Sequence, residues 1–204
     1  MRKTISLLAL VLSLSVASAQ KLPIQFGLKA GVNLSNVRLS EGGMSLSLSS
    51  ITGFHGGAFV EIPAGVSFFV QPELIYNMLG AKLGEGFEGE NGIDLSNVKL
   101  KTDYISVPVL AKYKIPLTGL GIYAGPQYSF LASAKGSLEG GESGSTKELY
   151  KSGEFAGVVG AEYFFKKVGI IARYQFGFSN IFKEAEGEGS MKNNAFAISL
   201  GFKL

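Results

Sequence analysis

Over positions 193–204, large apolar side chains fall on every second residue. Phe196, Ile198, Leu200, Phe202 and Leu204 alternate with Ala195, Ala197, Ser199, Gly201 and Lys203. Strict period two is the signature of a strand with one apolar face and one lean face. A soluble domain rarely finishes on such a strand, because an apolar face and an open edge would be left unprotected. Both difficulties disappear if the strand closes a barrel and its apolar face meets lipid.

The same alternation recurs along the chain. It predicts strands over 25–34, 51–62, 66–79, 99–116, 120–134, 151–165, 168–182 and 193–204, with no helical period and no linker between them. In the first of these, Phe26, Leu28, Ala30, Val32 and Leu34 oppose Gly27, Lys29, Gly31 and Asn33. On the second, Gly53, His55, Gly57 and Glu61 form the lean face, with Phe59 as the exception. The connections alternate in length. Long polar stretches at 38–50, 84–97 and 135–150 alternate with short turns at 63–65, 117–120 and 166–167, and a short acidic loop at 183–190 precedes the last strand. Outer-membrane barrels have an even strand number, short turns on the periplasmic side and longer loops outside. The predicted fold is therefore all-β: an eight-stranded antiparallel up-and-down transmembrane β-barrel, with both termini in the periplasm.

Alternation alone does not say which face points inward, since a soluble eight-stranded barrel alternates too. The lean face here carries mainly Gly, Ser, Asn and Gln, with isolated charges, whereas a water-facing surface carries many more. Aromatic residues gather towards strand ends: Tyr76, Phe130, Phe155, Phe178 and Phe182 on the loop side, Tyr113, Tyr163, Phe68 and Phe202 on the turn side. Two such belts resemble the aromatic girdles of a membrane barrel. The lean face is therefore expected to line the lumen.

Composition sharpens this reading. The 28 glycines are in excess, there is no cysteine, and the net charge of +3 is too small to point to nucleic acid. Without cysteine there is no disulfide frame, thiolate metal site or Cys nucleophile. Residues 1–19 read as a secretory signal: Arg2 and Lys3, then an apolar run, then Ala17-Ser18-Ala19 as a cleavage site. The apolar run is shorter than the ~20 residues of a membrane-spanning helix. The expected domains are a signal peptide, 1–19, and a barrel, 20–204, exported to the outer membrane.

Lysines and carboxylates on the lean face would meet inside a bore just wide enough for side chains to fill. Lone buried charges are costly, so Lys29, Glu73, Lys112, Glu162 and Arg173 are expected to form a paired polar network. A structural plug is the simpler role for it; a selectivity constriction is the alternative. Catalysis finds little support. The one histidine, His55, lies in no recognisable motif, and no partner for it is evident in the sequence. No catalytic, cofactor or metal site is expected. The acidic run Glu184, Glu186 and Glu188 reads as a solvated loop.

Several segments resemble the PorT-like, "porin family" outer-membrane β-barrel proteins of Bacteroidetes-type bacteria. They are the opening Phe26-Gly27-Leu28-Lys29-Ala30-Gly31-Val32-Asn33-Leu34-Ser35, Gln71-Pro72-Glu73-Leu74-Ile75-Tyr76, and Tyr104-Ile105-Ser106-Val107-Pro108-Val109-Leu110-Ala111-Lys112-Tyr113. Tyr123-Ala124-Gly125-Pro126-Gln127-Tyr128 and Ala172-Arg173-Tyr174-Gln175-Phe176-Gly177 also fit. The resemblance implies an eight-stranded barrel in the outer membrane and says little about activity. The expected function is non-enzymatic: an envelope structural or surface-interaction role through long outer loops. A narrow solute channel is the alternative, and a lipid-active enzyme using His55 a remoter one. Expected partners are outer-membrane lipids and lipopolysaccharide, the barrel-assembly machinery during biogenesis, and an unidentified extracellular ligand.

Overall fold

The computed structural model describes residues 24–41, 44–83, 98–137, 143–182 and 190–204. The signal peptide over 1–19, the stretch 84–97 and the acidic run at Glu184, Glu186 and Glu188 lie outside these residues.

The described strands are β1 (Gln25–Glu41), β2 (Met44–Ser47), β3 (Ser49–Pro63), β4 (Phe68–Lys82), β5 (Lys99–Lys114), β6 (Leu120–Ser137), β7 (Ser143–Ser145), β8 (Gly153–Phe165), β9 (Val168–Gly177) and β10 (Ser190–Lys203). Eight of them form an antiparallel ring in the order β1-β3-β4-β5-β6-β8-β9-β10. The ring closes because β10 returns to pair with β1, from Gly27 opposite Lys203 to Ser40 opposite Ser190. Closure leaves no unpaired edge, so every stave satisfies its backbone groups within the wall. β2 and β7 are short additions on β1 and β6.

Parity decides which side chains face out. Leu28, Val32, Phe54, Leu74, Ile122, Ile170, Ile198 and Leu200 are exposed, while Lys29, Asn33, His55, Glu73, Ser199 and Arg173 are buried. The molecule is apolar outside and polar inside, the inverse of a soluble barrel. Over β5 the apolar outward run, Ile105 to Tyr113, spans about nine residues, the length a tilted strand needs to cross a bilayer.

The turn end is tight. Leu117 and Lys166 take left-handed backbone conformations, at φ 66° and 55°, beside Gly119 at φ 75°. At the loop end the barrel extends further than the alternation predicts. The stretch 38–50 is not one long loop: β1 continues to Glu41, folds back through β2, and β3 starts at Ser49. Likewise β6 runs on to Ser137 against β7, and a 3-10 turn, Lys147–Leu149, follows. Polar strands raised above lipid have no apolar face to keep, so period two fades while the ladder persists. β9 is shorter than expected and stops at Gly177; an isolated bridge then joins Phe182 to Tyr150. Phe182 consequently packs on buried Tyr150, with ring centroids 4.4 Å apart, rather than joining the outer aromatic girdle. The other rings of that side, such as Phe54 on Tyr76 and Phe155 on Phe178, lie on the outer wall.

Candidate functional site: the filled lumen

The lumen is built in layers. Nearest the turn end, Glu61 of β3 collects three lysines. Lys112 lies 2.6 Å and Lys203 3.1 Å from Glu61 Oε1, and Lys114 bonds Oε2. Lys112 also reaches Glu162 of β8 at 2.5 Å. Phe69 and Phe164 lie under Lys114 and Lys203, at 4.0 and 3.9 Å from ring centroid to Nζ. Such cation–ring contacts help hold ammonium groups that have left bulk water.

The next layer centres on Glu73 of β4. Lys29 of β1 donates to both of its oxygens, at 2.6 and 2.7 Å, and Arg173 of β9 donates to Oε2 at 3.2 Å. Lys29 reaches across β3 because the lumen-facing residue opposite it is Gly57, which offers no side chain to obstruct the path. Gln71 joins the two layers. Its amide nitrogen donates to Glu73 Oε1 at 2.7 Å, and its oxygen accepts from Lys112 at 2.5 Å. Lys29, Glu73, Arg173, Lys112 and Glu162 thus belong to one connected set, with Gln71 and Glu61 as its links.

Among these charges sits an apolar cluster of Phe59, Leu110, Tyr123, Val158, Phe164 and Ile171. Phe59 and Phe164 meet edge to face at 6.4 Å. Above Glu73 the lumen turns to amides and hydroxyls. Asn33 donates to Asn77 at 2.7 Å, Gln127 to Gln175 at 2.9 Å, and Ser106 and Ser129 are 3.0 Å apart. Higher still, Asn193 donates to Glu154 at 2.6 Å. An apolar cap of Val37, Leu48, Leu79, Ala81, Leu131, Ala134, Tyr150, Ile181 and Ala195 with Tyr104 closes the loop end. Burial holds the Tyr150 phenol well up, at about 12, so it stays a neutral member of this cap.

Two depressions open at the turn end, of about 700 and 370 Å³, and both have Val66, Phe69 and Lys114 in their lining. They bring solvent to the mouth, where the charged layer begins. A further depression, of about 860 Å³, lies on the lipid-facing wall over Ala30, Gly56 and Ala58, away from every polar group described above except Lys29.

His55 does have a partner. Its Nε2 is 2.6 Å from Ser199 Oγ of β10. Its Nδ1 has no hydrogen-bond partner among the described residues, and the ring is buried. A nucleophilic serine needs a base that is itself oriented, commonly by a carboxylate, and needs room for substrate. Among the described residues neither is found at this pair. Among the described residues no group of three His, Asp or Glu side chains is placed to hold a metal.

Glu61, Gln71, Lys114 and Lys203 were not among the residues expected in the network. Each has lumen parity in the sequence, so the face of the strand was available as a signal. What the sequence lacks is the stagger between staves, which decides who meets whom.

A family model described as "Outer membrane protein beta-barrel domain" matches residues 18–183. The chain belongs to that family. The match stops before β10, so the closing stave is seen in the structure rather than in the family pattern. Among solved structures, the chain is similar to Neisserial surface protein A at 14% identity and a TM-score of 0.52, covering 88% of this chain and 97% of that one. It is also similar to Ail, the attachment invasion locus protein of Yersinia pestis, at 16% identity and a TM-score of 0.50, covering 88% and 98%. At such identities the likeness speaks for the fold alone. No curated protein matches the sequence.

Proposed function

We propose that this chain is a non-enzymatic, sealed outer-membrane barrel whose task is to hold its outer loops at the cell surface. One observation carries the reading: side-chain contacts run along the bore from Lys114 through Glu61, Lys112 and Gln71 to Glu73, and an apolar cap lies above the amide layer. An eight-stranded bore is filled rather than open, and here the filling is a plug of paired charges packed around one apolar cluster, with an apolar cap at the loop end. The five residues Lys29, Glu73, Lys112, Glu162 and Arg173 act in it as cross-ties between staves.

In this reading the chain is exported with cleavage after Ala19, folded with the help of the barrel-assembly machinery, and set among outer-membrane lipids and lipopolysaccharide. Loops on a rigid scaffold are where binding usually resides, so an extracellular ligand would meet the segments within 38–50, 84–97 and 135–150. The fold neighbours are named as a surface protein and an attachment invasion locus protein, and a comparable surface role is what we propose here. The similarity to PorT-like proteins noted in the sequence fits the same placement.

Planar-bilayer recordings test the plug. Purified wild-type protein is expected to give no stable unit conductance, and Arg173→Leu to lower stability without creating one. A steady conductance from the wild type would replace the plug with the narrow-channel reading. Cell fractionation with a heat-modifiability gel tests the location. A periplasmic, soluble protein with no mobility shift on boiling would sink it.

A further inference from the structure

At the loop end the outward face carries cations in an arrangement that a sheet normally avoids. Lys101 of β5 stands directly opposite Lys135 of β6, and both are exposed. In the neighbouring pair of strands, Lys82 of β4 stands opposite Lys99 of β5. Parity places all four on the outer surface, since Ala81, Thr102 and Ala134 between them are buried. Lys147 is drawn onto the same stretch of β6, where its Nζ donates to the Ala132 carbonyl at 2.9 Å. Like charges directly opposite each other destabilise a ladder. Around Lys101 and Lys135 the acids among the described residues are Asp103 and Glu148. Asp103 is hydrogen-bonded to Tyr76, and Glu148 stands exposed beside Lys147 on the 3-10 turn. Among the described residues no carboxylate forms an ion pair with Lys101 or Lys135.

The height of the patch identifies its partner. Below it, past Asp103 and Ser133, the outward positions of β5 and β6 become Ile105, Val107, Phe130 and Tyr128, the start of the apolar band and its aromatic rim. The lysines therefore stand at the level of lipid headgroups, where phosphates lie. We propose that the outer faces of β4, β5 and β6 form a binding site for a phosphorylated glycolipid of the outer leaflet. Lys101 and Lys135 grip one phosphate between them, and Lys82, Lys99 and Lys147 flank it. This rests on the outer-membrane reading above and adds to it a defined lipid site on one side of the barrel. A phosphate bridging two ammonium groups turns their repulsion into attraction, and membrane-proximal lysines each add materially to binding of anionic lipid.

The test uses the full chain in phosphatidylcholine nanodiscs containing either diphosphorylated lipid A or the same lipid enzymatically stripped of phosphate. Native mass spectrometry reads the lipid retained. Wild-type protein is expected to keep the diphosphorylated lipid and to release the dephosphorylated one. The variant Lys101→Gln/Lys135→Gln is expected to hold the phosphorylated lipid about tenfold more weakly. Insertion of the variant is checked by its heat-modifiable band, and the comparison of the two lipids on wild type stands whether or not the variant inserts. Equal retention of the two lipids, or a variant that binds as wild type does, would overturn the proposal. So would loss of lipid A to an equal charge of soluble dextran sulfate, which would assign the patch to a soluble polyanion. A wild type that does not enter bilayers would overturn the outer-membrane reading together with the site.

Discussion

Lys29 Nζ lies 2.6 Å from Glu73 Oε1, although the two residues stand on β1 and β4 with β3 between them, and neither side chain has any solvent exposure. The pair reaches across β3 and ties together staves that share no ladder. Removing one member of a buried pair leaves its partner charged and dry, which costs about 3–5 kcal/mol. Glu73→Gln strands both Lys29 and Arg173, so it is expected to fall in that range. Urea unfolding in lipid vesicles, followed by the gel shift between folded and unfolded forms, measures it. A loss below about 1 kcal/mol, the worth of an exposed pair, would mean that water reaches this layer.

Much of this layer was legible in the chain, and its limits have a physical cause. Period two reports the face of a strand, so Lys29, Glu73 and Arg173 could be assigned to one side before any fold was known. It does not report stagger. Nothing in the order of residues says that Gln71 meets Lys112, or that Ser199 meets His55, because those pairs depend on register accumulated around the ring. Strand limits were legible only where lipid enforces alternation. Above the membrane, at β2 and the ends of β1 and β6, ladders persist with no apolar face, and the pattern falls silent.

Gly27 and Phe59 give a second expectation. Phe59 was the one large apolar residue on the lean face of β3, and it fits because its β1 neighbour, Gly27, has no side chain. A Cβ built on Gly27 would lie 2.2 Å from the ring Cζ. Gly27→Ala should therefore cost about 1–3 kcal/mol, the usual penalty for overpacking. Gly27→Ala/Phe59→Leu should recover part of it. If the single variant unfolds at the wild-type urea concentration, the ring has room to move that the packing does not suggest.

His55 and Ser199 make the only serine–histidine contact among the described hydrogen bonds, and they bear on the enzymatic alternative. With the ring buried and its Nδ1 lacking a carboxylate, the pair is a cross-tie between β3 and β10. His55→Ala is expected to leave the phospholipid and lipid A species of the envelope unchanged by mass spectrometry. It should lower stability by about 1–3 kcal/mol through the hydroxyl left unpaired. A specific change in lipid species, with the barrel still folded, would restore the enzyme.

The closing stave allows the membrane placement to be separated from a soluble one. Leu200 faces outward half-way along the apolar run of β10, opposite Ala30 of β1, and is 66% exposed. Asn194 faces the same way at the loop end, opposite Asn36. In a bilayer, an arginine at the midplane costs about 2–4 kcal/mol and one near the interface about 0–1. Leu200→Arg should therefore destabilise strongly and Asn194→Arg hardly at all. On a soluble barrel both positions would be solvent, where surface substitutions usually stay within about 0.5 kcal/mol, and Leu200→Arg would if anything improve solubility. The steep dependence on depth is the expected outcome, because the alternation that runs to Phe202 and Leu204 has no other reason to keep its apolar side chains outside.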